Sequence, residues 1–454
     1  MQFELTKEHL TSLKEAITRS DKAFLTAELE KLHPADIAEI LDEVNLHEAK
    51  FIFELIEEEK SADVLVELED DVREGFLKAL SSDEIADQLI DNIDSDDAAD
   101  VIGELPEEIQ EKVIAKIEEE DPEQAHDIVD LLTYDEDTAG GLMAKEMVVV
   151  NQNWTITNCL REMRKQAEEF DDVYAVYVID DDHKLLGLLS LSKMLVSPAG
   201  AIISDIYDKE VQSVTTDEEA EEVGNIMDKY DLVVLPVVDE DGVLQGRITI
   251  DDVVEVIKEE AEKDYQMASG ITADVESSDK IWILSKARLP WLLIGLVGGI
   301  FGAKVIGIYE EDIHIYPEMA FFIPLIAAMG GNVGVQSSAL IVQGLANNTL
   351  GMENIFTKLL KEFGVALING LICSAIILGY NLIFGDSLAL SITVSVALLS
   401  VIIIAGLFGT LVPLLLDRYK IDAALATGPF ITTLNDILGL VVYFMIGRYM
   451  YLSF

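Results

Sequence analysis

The sequence predicts a multidomain membrane protein: an α-helical solenoid N-domain, tandem α+β repeats and a five-helix all-α transmembrane domain. Three observations predict this class. The first 280 residues carry 75 acidic and 23 basic residues, a formal net charge of −52, whereas the rest carry 10 and 8. Short helical motifs recur through the first 132 residues. Five apolar segments of spanning length follow residue 286. An acidic soluble half therefore precedes an apolar half.

Residues 1–132 are predicted to form the acidic superhelical N-domain. In the stretch DEIADQLIDNI, residues 83–93, the apolar side chains share one helix face. Related phrases begin near residues 34, 61, 82 and 96, each close to an Asp or Ser that can cap a helix start. Short helices of this kind bury their apolar faces by stacking on neighbours, so we expect a small α-solenoid.

Composition excludes several classes of function. The formal net charge of −54 excludes nucleic acid as a partner, because a duplex requires a basic footprint. The chain has only two cysteines, far apart, so no disulfide scaffold is predicted. Its first residues lack the basic and apolar regions of a secretory signal. No Walker-type phosphate loop and no aspartyl-phosphorylation motif occurs, and we predict no enzymatic activity.

Residues 133–257 contain an internal repeat of strands and helices. IDDDHKLLGLLSLSKML, residues 179–195, aligns with VDEDGVLQGRITIDDVV, residues 238–254, so that Gly187 falls on Gly246. Two such units resemble a pair of CBS domains, a regulatory module that commonly binds adenine nucleotides or divalent ions and dimerises. The resemblance implies phosphate and ribose contacts from Thr249 and Asp252, whereas Lys193 occupies the Asp position of the first unit. A purely structural CBS pair stays open as the alternative.

Residues 258–285 are predicted to link the CBS pair to the membrane through a charged helix. The helix begins within the preceding domain, and many of its side chains are carboxylates: Asp252, Glu255, Glu259, Glu260, Glu262 and Asp264. Because like charges repel, its approach to another acidic surface is unfavourable without bound cations. A solvated helix that binds no ion is the alternative.

The membrane domain, residues 286–454, contains apolar segments at about 290–309, 317–345, 359–384, 388–416 and 424–454. Lys and Arg precede the first segment and lie in the loops between the second and third and between the fourth and fifth. The opposite loops are acidic. The positive-inside rule therefore predicts a multi-pass protein of the cell membrane with a cytoplasmic N-terminus and an external C-terminus.

Two membrane segments carry polar groups suited to an ion path. Asp436 lies near the middle of the fifth segment, where an unpaired carboxylate is costly and calls for a cation. Thr432 precedes it, after a Gly-Pro break at residues 428–429. In the second segment, Pro324 and a run of glycines including Gly331 predict a broken helix with freed carbonyls, and Asn332 and Gln336 offer oxygen ligands one turn apart. Close helix packing through small residues is the alternative.

The domain order and four motifs resemble the MgtE family of magnesium channels and transporters. The motifs are EDTAGGLM (136–143), RLPWLL (288–293), MGGNVGVQ (329–336) and ALATGPFITTLNDILGL (424–440). The resemblance implies a homodimer in the lipid bilayer with a central pore, in which Asp436 of each subunit forms a magnesium-selective site. It also implies regulatory Mg²⁺ ions that close the pore, held by Asp96, Asp100, Asp252, Glu255, Glu260 and Asp264. Lys263 replaces an acid that the family usually has.

Other functions remain open at this point. A channel for Co²⁺, Ni²⁺ or Mn²⁺ is one alternative, although the sequence places no His or Cys beside Asp436, which favours a hard ion such as Mg²⁺. A membrane-anchored adenine-nucleotide sensor that transports nothing is another. A third is a proton-coupled exchanger with Asp436 as carrier. Mg²⁺ is the expected ion, with ATP as a further regulatory ligand.

Overall fold

The computed structural model describes residues 3–89, 93–166, 173–272, 275, 280–346, 354–384, 387–421, 423–426 and 428–451. The chain divides into two compact units, residues 1–257 and 258–454. Part of the predicted linking segment, residues 258–285, lies outside the described residues. The described elements confirm the predicted fold class of helical N-domain, CBS-like α+β repeats and five long apolar helices.

The first unit begins with a series of short helices. Their apolar faces form one continuous core that includes Leu41, Ile52, Leu65 and Ile102, each nearly inaccessible to solvent. The described helices are α1 (Lys7–Thr18), α2 (Lys22–Leu29), α3 (Pro34–Asp42), α4 (Leu46–Phe53), α5 (Glu58–Val66), α6 (Asp70–Leu77), α7 (Ser82–Leu89), α8 (Ser95–Gly103), α9 (Glu107–Glu120) and α10 (Pro122–Leu131). None exceeds four turns, so each depends on its neighbours for burial.

Local sequence explains where these helices start. Asn45 caps α4 with its side chain while Glu48 accepts a hydrogen bond from the Asn45 backbone amide, which forms a capping box. Pro34 occupies the first position of α3, where its missing N–H costs nothing. The Asp121 side chain caps α10 by accepting hydrogen bonds from the first backbone amides of that helix. Polar caps followed by apolar residues at helical spacing thus define the solenoid.

Two small sheets of equal topology follow the solenoid. In each, the first strand pairs parallel with the second, which pairs antiparallel with the third. Gly187 and Gly246 occupy the same register in the two sheets, opposite Val178 and Val237. The elements are β1 (Val148–Asn151), α11 (Ile156–Gln166), β2 (Val176–Ile179), β3 (Leu185–Leu189), α12 (Leu191–Val196), β4 (Val214–Thr215), α13 (Ala220–Tyr230), β5 (Val234–Val238), β6 (Leu244–Thr249) and α14 (Ile250–Ala268).

The second unit contains five described helices long and apolar enough to cross a membrane. Its helices are α15 (Ile281–Ile308), α16 (Glu310–Ile315), α17 (Ile323–Ala346), α18 (Ile355–Phe384), α19 (Leu388–Arg418) and α20 (Gly428–Tyr451). A 3₁₀ segment, Pro317–Phe322, precedes α17 and extends that span. The first span starts before the predicted residue 290, with Pro290 inside the helix. The buried α19 packs against α17, α18 and α20.

The expectation of two broken helices in mid-membrane is wrong. α17 runs without interruption through its glycines, because Pro324 lies in its first turn, where a proline removes no helical hydrogen bond. α20 starts at Gly428, so its Gly-Pro pair also lies at the helix start. The glycines of α17 instead let neighbouring helices approach closely, which is the packing alternative raised above.

Candidate ion sites in the membrane helices and the acidic domain

The first candidate site lies where α20 crosses α17. Asp436 and Thr432 are one turn apart on α20 and both face Gly331 of α17. A Cβ atom placed on Gly331 would lie 3.2 Å from Oδ1 of Asp436 and 3.0 Å from Cγ2 of Thr432. A side chain at this position would require Asp436 and Thr432 to move by a few tenths of an ångström. The structure thus brings together three of the five predicted pore residues.

The other two predicted pore residues, Asn332 and Gln336, are not buried against α20 within one chain. Asn332 and Gln336 lie on the exposed side of α17, one turn apart, whereas the adjacent Gly331 is buried against α20. Their amides therefore form an exposed polar strip on α17, next to the buried glycine that Asp436 approaches. Thr432 donates a hydrogen bond of 2.9 Å to the carbonyl of Gly428, so its hydroxyl is engaged within α20.

The start of α20 contacts the segment that follows α14. Gly428 has a φ of +51°, a left-handed conformation that favours glycine, and a side chain there would collide with the carbonyl of Ala268. Gly270 in turn lies close to the Pro429 ring. Thr272 donates a 2.8 Å hydrogen bond to the carbonyl of Ala287 in α15. The end of the linking helix is thereby connected to the first and last membrane helices.

The second candidate site is a cluster of carboxylates in the first unit, which we call the acidic cluster. It consists of Asp94, Asp96, Asp97 and Asp100 at α8, Glu146, and Asp252 and Glu255 at the start of α14. One oxygen atom each from Asp94, Asp96 and Glu146 lies within 4.8 Å of the others. The structure therefore brings together four predicted regulatory residues, Asp96, Asp100, Asp252 and Glu255.

Burial and repulsion between neighbouring carboxylates raise the pKa values of the acidic cluster. Burial and the adjacent Asp97 and Asp252 charges raise the pKa of Asp96 well above its usual value. Burial and the charges of Asp252 and Asp94 raise the pKa of Asp97 to about 7. Burial of its inner side and the charge of Glu136 raise the pKa of Asp100 to about 7, although the residue keeps an exposed side. These carboxyls therefore resist ionisation at neutral pH, and a bound cation would favour their charged forms.

Basic residues compensate part of this charge: Arg73 lowers the pKa of Asp100, and Arg247 contacts Asp94 directly. The Arg247 guanidinium, 7% exposed, donates to Asp94 over 2.9 Å and to the carbonyl of Glu146. The Glu146 carboxylate accepts hydrogen bonds from the Ser95 hydroxyl at 2.8 Å and the Ser95 amide at 3.1 Å. These contacts hold the Asp94 and Glu146 carboxylates beside Asp96, so that all three present oxygen atoms to one point.

The predicted nucleotide contacts are engaged with each other. The Thr249 hydroxyl and amide both donate to the Asp252 carboxylate. The Arg247 guanidinium lies 5.4 Å from the ring centre of Tyr174, and Tyr177 is buried behind it. The cavity that these three residues help to line measures about 10 Å³, which is too small for a nucleotide. Asp252 thus belongs to the acidic cluster through its charge and to the predicted nucleotide position through its hydrogen bonds with Thr249.

The remaining predicted regulatory residues, Glu260 and Asp264, lie on the part of α14 that belongs to the second unit. Glu260 forms a 2.8 Å ion pair with Lys263, the residue that replaces an acid of the family pattern. Lys263 thus supplies a fixed positive charge beside one predicted ligand. The Lys263 ammonium therefore neutralises the Glu260 carboxylate, as a bound cation would.

Residue-level reasoning missed Asp94, Asp97 and Glu146. The signal for the first two was present in DNIDSDDAAD, where four aspartates fall within seven residues, 94–100. Glu146 follows the motif at 136–143 but is 46 residues or more from the other members of the cluster, so only the fold brings it close.

Family models match all three parts of the chain in the order described above. The MgtE family, described as a divalent cation transporter, matches residues 323–446; the MgtE intracellular N domain matches 32–137; and CBS domains match 139–199 and 203–259. The magnesium transporter MgtE of Thermus thermophilus is 32% identical, over 96% of this chain and 97% of its own length. That of Bacillus subtilis is 30% identical over 92% of both chains.

A solved structure resembles the first unit. The cytosolic domain of the Mg²⁺ channel MgtE in complex with ATP shares 33% sequence identity, with a TM-score of 0.50, and the match covers 54% of this chain and 99% of that one.

Proposed function

The chain belongs to the MgtE family of divalent cation transporters, and we propose on that basis that it moves Mg²⁺ into the cytoplasm down its electrochemical gradient. The observation that carries the proposal is Asp436, a carboxylate within the span of α20 that faces Gly331 and forms no ion pair within the described residues. An intramembrane carboxylate of this kind marks an ion path. The membrane potential supplies about 2.3 kcal/mol per charge per 100 mV, so no ATP hydrolysis is needed.

The pore is proposed to form between two copies of the chain. Asn332 and Gln336 face outward from α17 beside Asp436, and a second copy related by a two-fold axis would cover this face and add its own carboxylate. Two such carboxylates attract a divalent ion about twice as strongly as a monovalent one. Carboxylate, amide and hydroxyl oxygens suit Mg²⁺, which keeps several of its waters when bound.

The acidic cluster is proposed to sense cytoplasmic Mg²⁺. Its donor set is made of carboxylate oxygens, the ligands that a hard cation prefers, and the raised pKa values of Asp96 and Asp97 reflect charge without sufficient compensation. Asp96, Asp100, Asp252 and Glu255 would hold regulatory Mg²⁺ there, with Asp94 and Glu146 beside them, and Glu260 and Asp264 would do so on the linking helix. The contact of Ala268 with Gly428 supports transmission from that helix to α20.

An adenine nucleotide is proposed as a second regulatory ligand of the CBS pair. The related MgtE cytosolic domain was solved in complex with ATP, and the resemblance to CBS domains implies phosphate and ribose contacts from Thr249 and Asp252. Because Asp252 also belongs to the acidic cluster, nucleotide and Mg²⁺ would influence each other's affinity. We further propose that the protein lies in the cell membrane, with the first unit cytoplasmic and the C-terminus outside.

Flux into liposomes tests the pore. Purified full-length protein should carry Mg²⁺ without ATP, and Asp436→Ala should abolish that flux because the ion loses its charged ligand. Asp417→Ala, at the end of α19, is the control and should transport normally. Wild-type rates in the Asp436 variant would overturn the assignment. Faster uptake of Co²⁺, Ni²⁺ or Mn²⁺ than of Mg²⁺ would instead favour a channel for those ions.

The same liposomes test the sensor. Millimolar Mg²⁺ on the side of the cytosolic domains should slow flux in the wild type, and the double variant Asp96→Asn and Asp252→Asn should need at least about tenfold more Mg²⁺ for the same effect, since two ligand charges are gone. Asp228→Asn, an exposed carboxylate on α13, is the matched control. Equal inhibition of all three proteins would contradict a sensor role for the acidic cluster.

A further inference from the structure

Asn435, the residue before Asp436, is buried within the membrane unit without the hydrogen bonds its side chain requires. It is 1% exposed, and neither its Oδ1 nor its Nδ2 atom has a hydrogen-bond partner within the described part of the chain. A buried amide with no partner destabilises the arrangement that contains it, and in a membrane no bulk water relieves the loss. An unpaired buried group in a native protein calls for an explanation, and a role in function is one of them.

The Asn435 amide is held in a groove of α17. A side chain at Gly334 would overlap Nδ2 of Asn435, and its Cβ would lie 3.0 Å from Cγ of Asn435. Gly330, one turn away, lies against the carbonyl of Asn435, with 3.4 Å between that oxygen and a Cβ at Gly330. Asn435 and Asp436 therefore rest side by side on the same glycine-lined surface of α17.

This surface allows movement of α20. Glycines at 330, 331 and 334 add no side chains of α17 to this contact, so side chains of α20 alone fill it. α20 begins at Gly428, whose left-handed backbone can act as a hinge. A side chain about 6 Å from the helix axis moves by about 1 Å when the helix turns by about 10°. A small rotation would therefore shift the Asn435 amide by about 1 Å relative to the glycines of α17.

We propose that Asn435 takes part in the transport cycle: its amide lies unpaired in the arrangement described here and gains hydrogen-bond partners, among them the hydration waters of the passing cation, when α20 turns on α17. The unpaired amide thus raises the free energy of the first arrangement relative to the second. The inference rests on the proposed function, because the groove and the amide act on the helix that carries Asp436.

Asn435→Leu tests the inference, because leucine keeps nearly the same shape and removes only the polar atoms. Full-length protein in liposomes should carry Mg²⁺ at least about tenfold more slowly, while its melting temperature in detergent equals or exceeds that of the wild type. Asn381→Leu is the matched control: Asn381 on α18 is also buried, with an unpaired Nδ2 among the described residues. The control should become no less stable and transport normally.

A second pair of variants keeps the test decisive if the leucine variant fails to fold. Gly334→Ala fills the groove and should lower stability. Adding Asn435→Ala should restore part of that stability, because it removes the overlap with Asn435 while the 2.8 Å approach to Cγ2 of Ile431 remains, but it should leave flux slow. Wild-type flux in Asn435→Leu, or recovery of both stability and flux in the double variant, would overturn the inference. Absence of Mg²⁺ flux in the wild type would contradict the proposed function itself. The wild-type and Asp436→Ala proteins test that function independently of Asn435.

Discussion

Replacing one carboxylate of the acidic cluster should stabilise the protein when Mg²⁺ is absent. Asp97 is half-buried, and burial with the charges of Asp252 and Asp94 raises its pKa from 3.8 to about 7. One pKa unit corresponds to about 1.4 kcal/mol, so ionising Asp97 above pH 7 costs the folded first unit on the order of 4 kcal/mol. Because neighbouring groups share the protons, we expect Asp97→Asn to recover about 1–3 kcal/mol of unfolding free energy.

The dependence on pH follows from the direction of this shift. A folded carboxyl with a raised pKa binds its proton more tightly than the unfolded one, so its contribution to stability is fully present below about pH 4. That contribution is lost as the pH rises through about 7. Asp97→Asn cannot ionise and avoids the loss. Variant and wild type should therefore differ least near pH 4 and most at about pH 8.

Thermal unfolding of the full-length protein in detergent with EDTA measures the effect. For a unit of this size, 1 kcal/mol shifts the melting temperature by about 2–4 °C, so we expect the variant to melt several degrees higher at pH 8. Saturating Mg²⁺ should stabilise the wild type more than the variant, because it neutralises the same charge. Asp228→Asn, outside the cluster, should change neither result.

Two results would refute this reasoning. One is a variant that melts at or below the wild type at pH 8 in EDTA, which would mean that the Asp97 charge is already compensated. The other is an equal Mg²⁺-induced stabilisation of both proteins, which would separate Asp97 from cation binding.

Two further predictions concern other contacts. Arg247→Met should lower the unfolding free energy of the first unit by about 1–2 kcal/mol, because it removes the ion pair with the partly exposed Asp94 and the hydrogen bond to the carbonyl of Glu146. Denaturant unfolding measures this loss, and an unchanged midpoint would contradict it. Gly331→Ala should slow Mg²⁺ flux by at least about tenfold, because the added methyl would lie 3.2 Å from the Asp436 carboxylate. Gly295→Ala, where a Cβ meets no atom within 4 Å, should leave flux unchanged.

The sequence by itself determined the elements and their class. Helix caps such as Asn45, the repeat that aligns Gly187 with Gly246, and apolar stretches of spanning length act over short distances, where propensity and burial are local properties. Asp436 could be identified in the same way, because a carboxylate within an apolar stretch is visible in the sequence without knowledge of the fold. The family motifs lie within single segments and were equally readable, and the comparisons confirm the family.

Only the tertiary structure decided which residues meet. Glu146 joins aspartates about 50 residues before it because the chain folds back on itself, and no periodicity encodes that approach. The glycines of α17 predicted a broken helix, yet they form a groove, because a missing Cβ serves close packing as well as flexibility and only the neighbouring helix distinguishes the two. The unpaired Asn435 amide depends on that groove, since its burial exists only once α20 lies against α17.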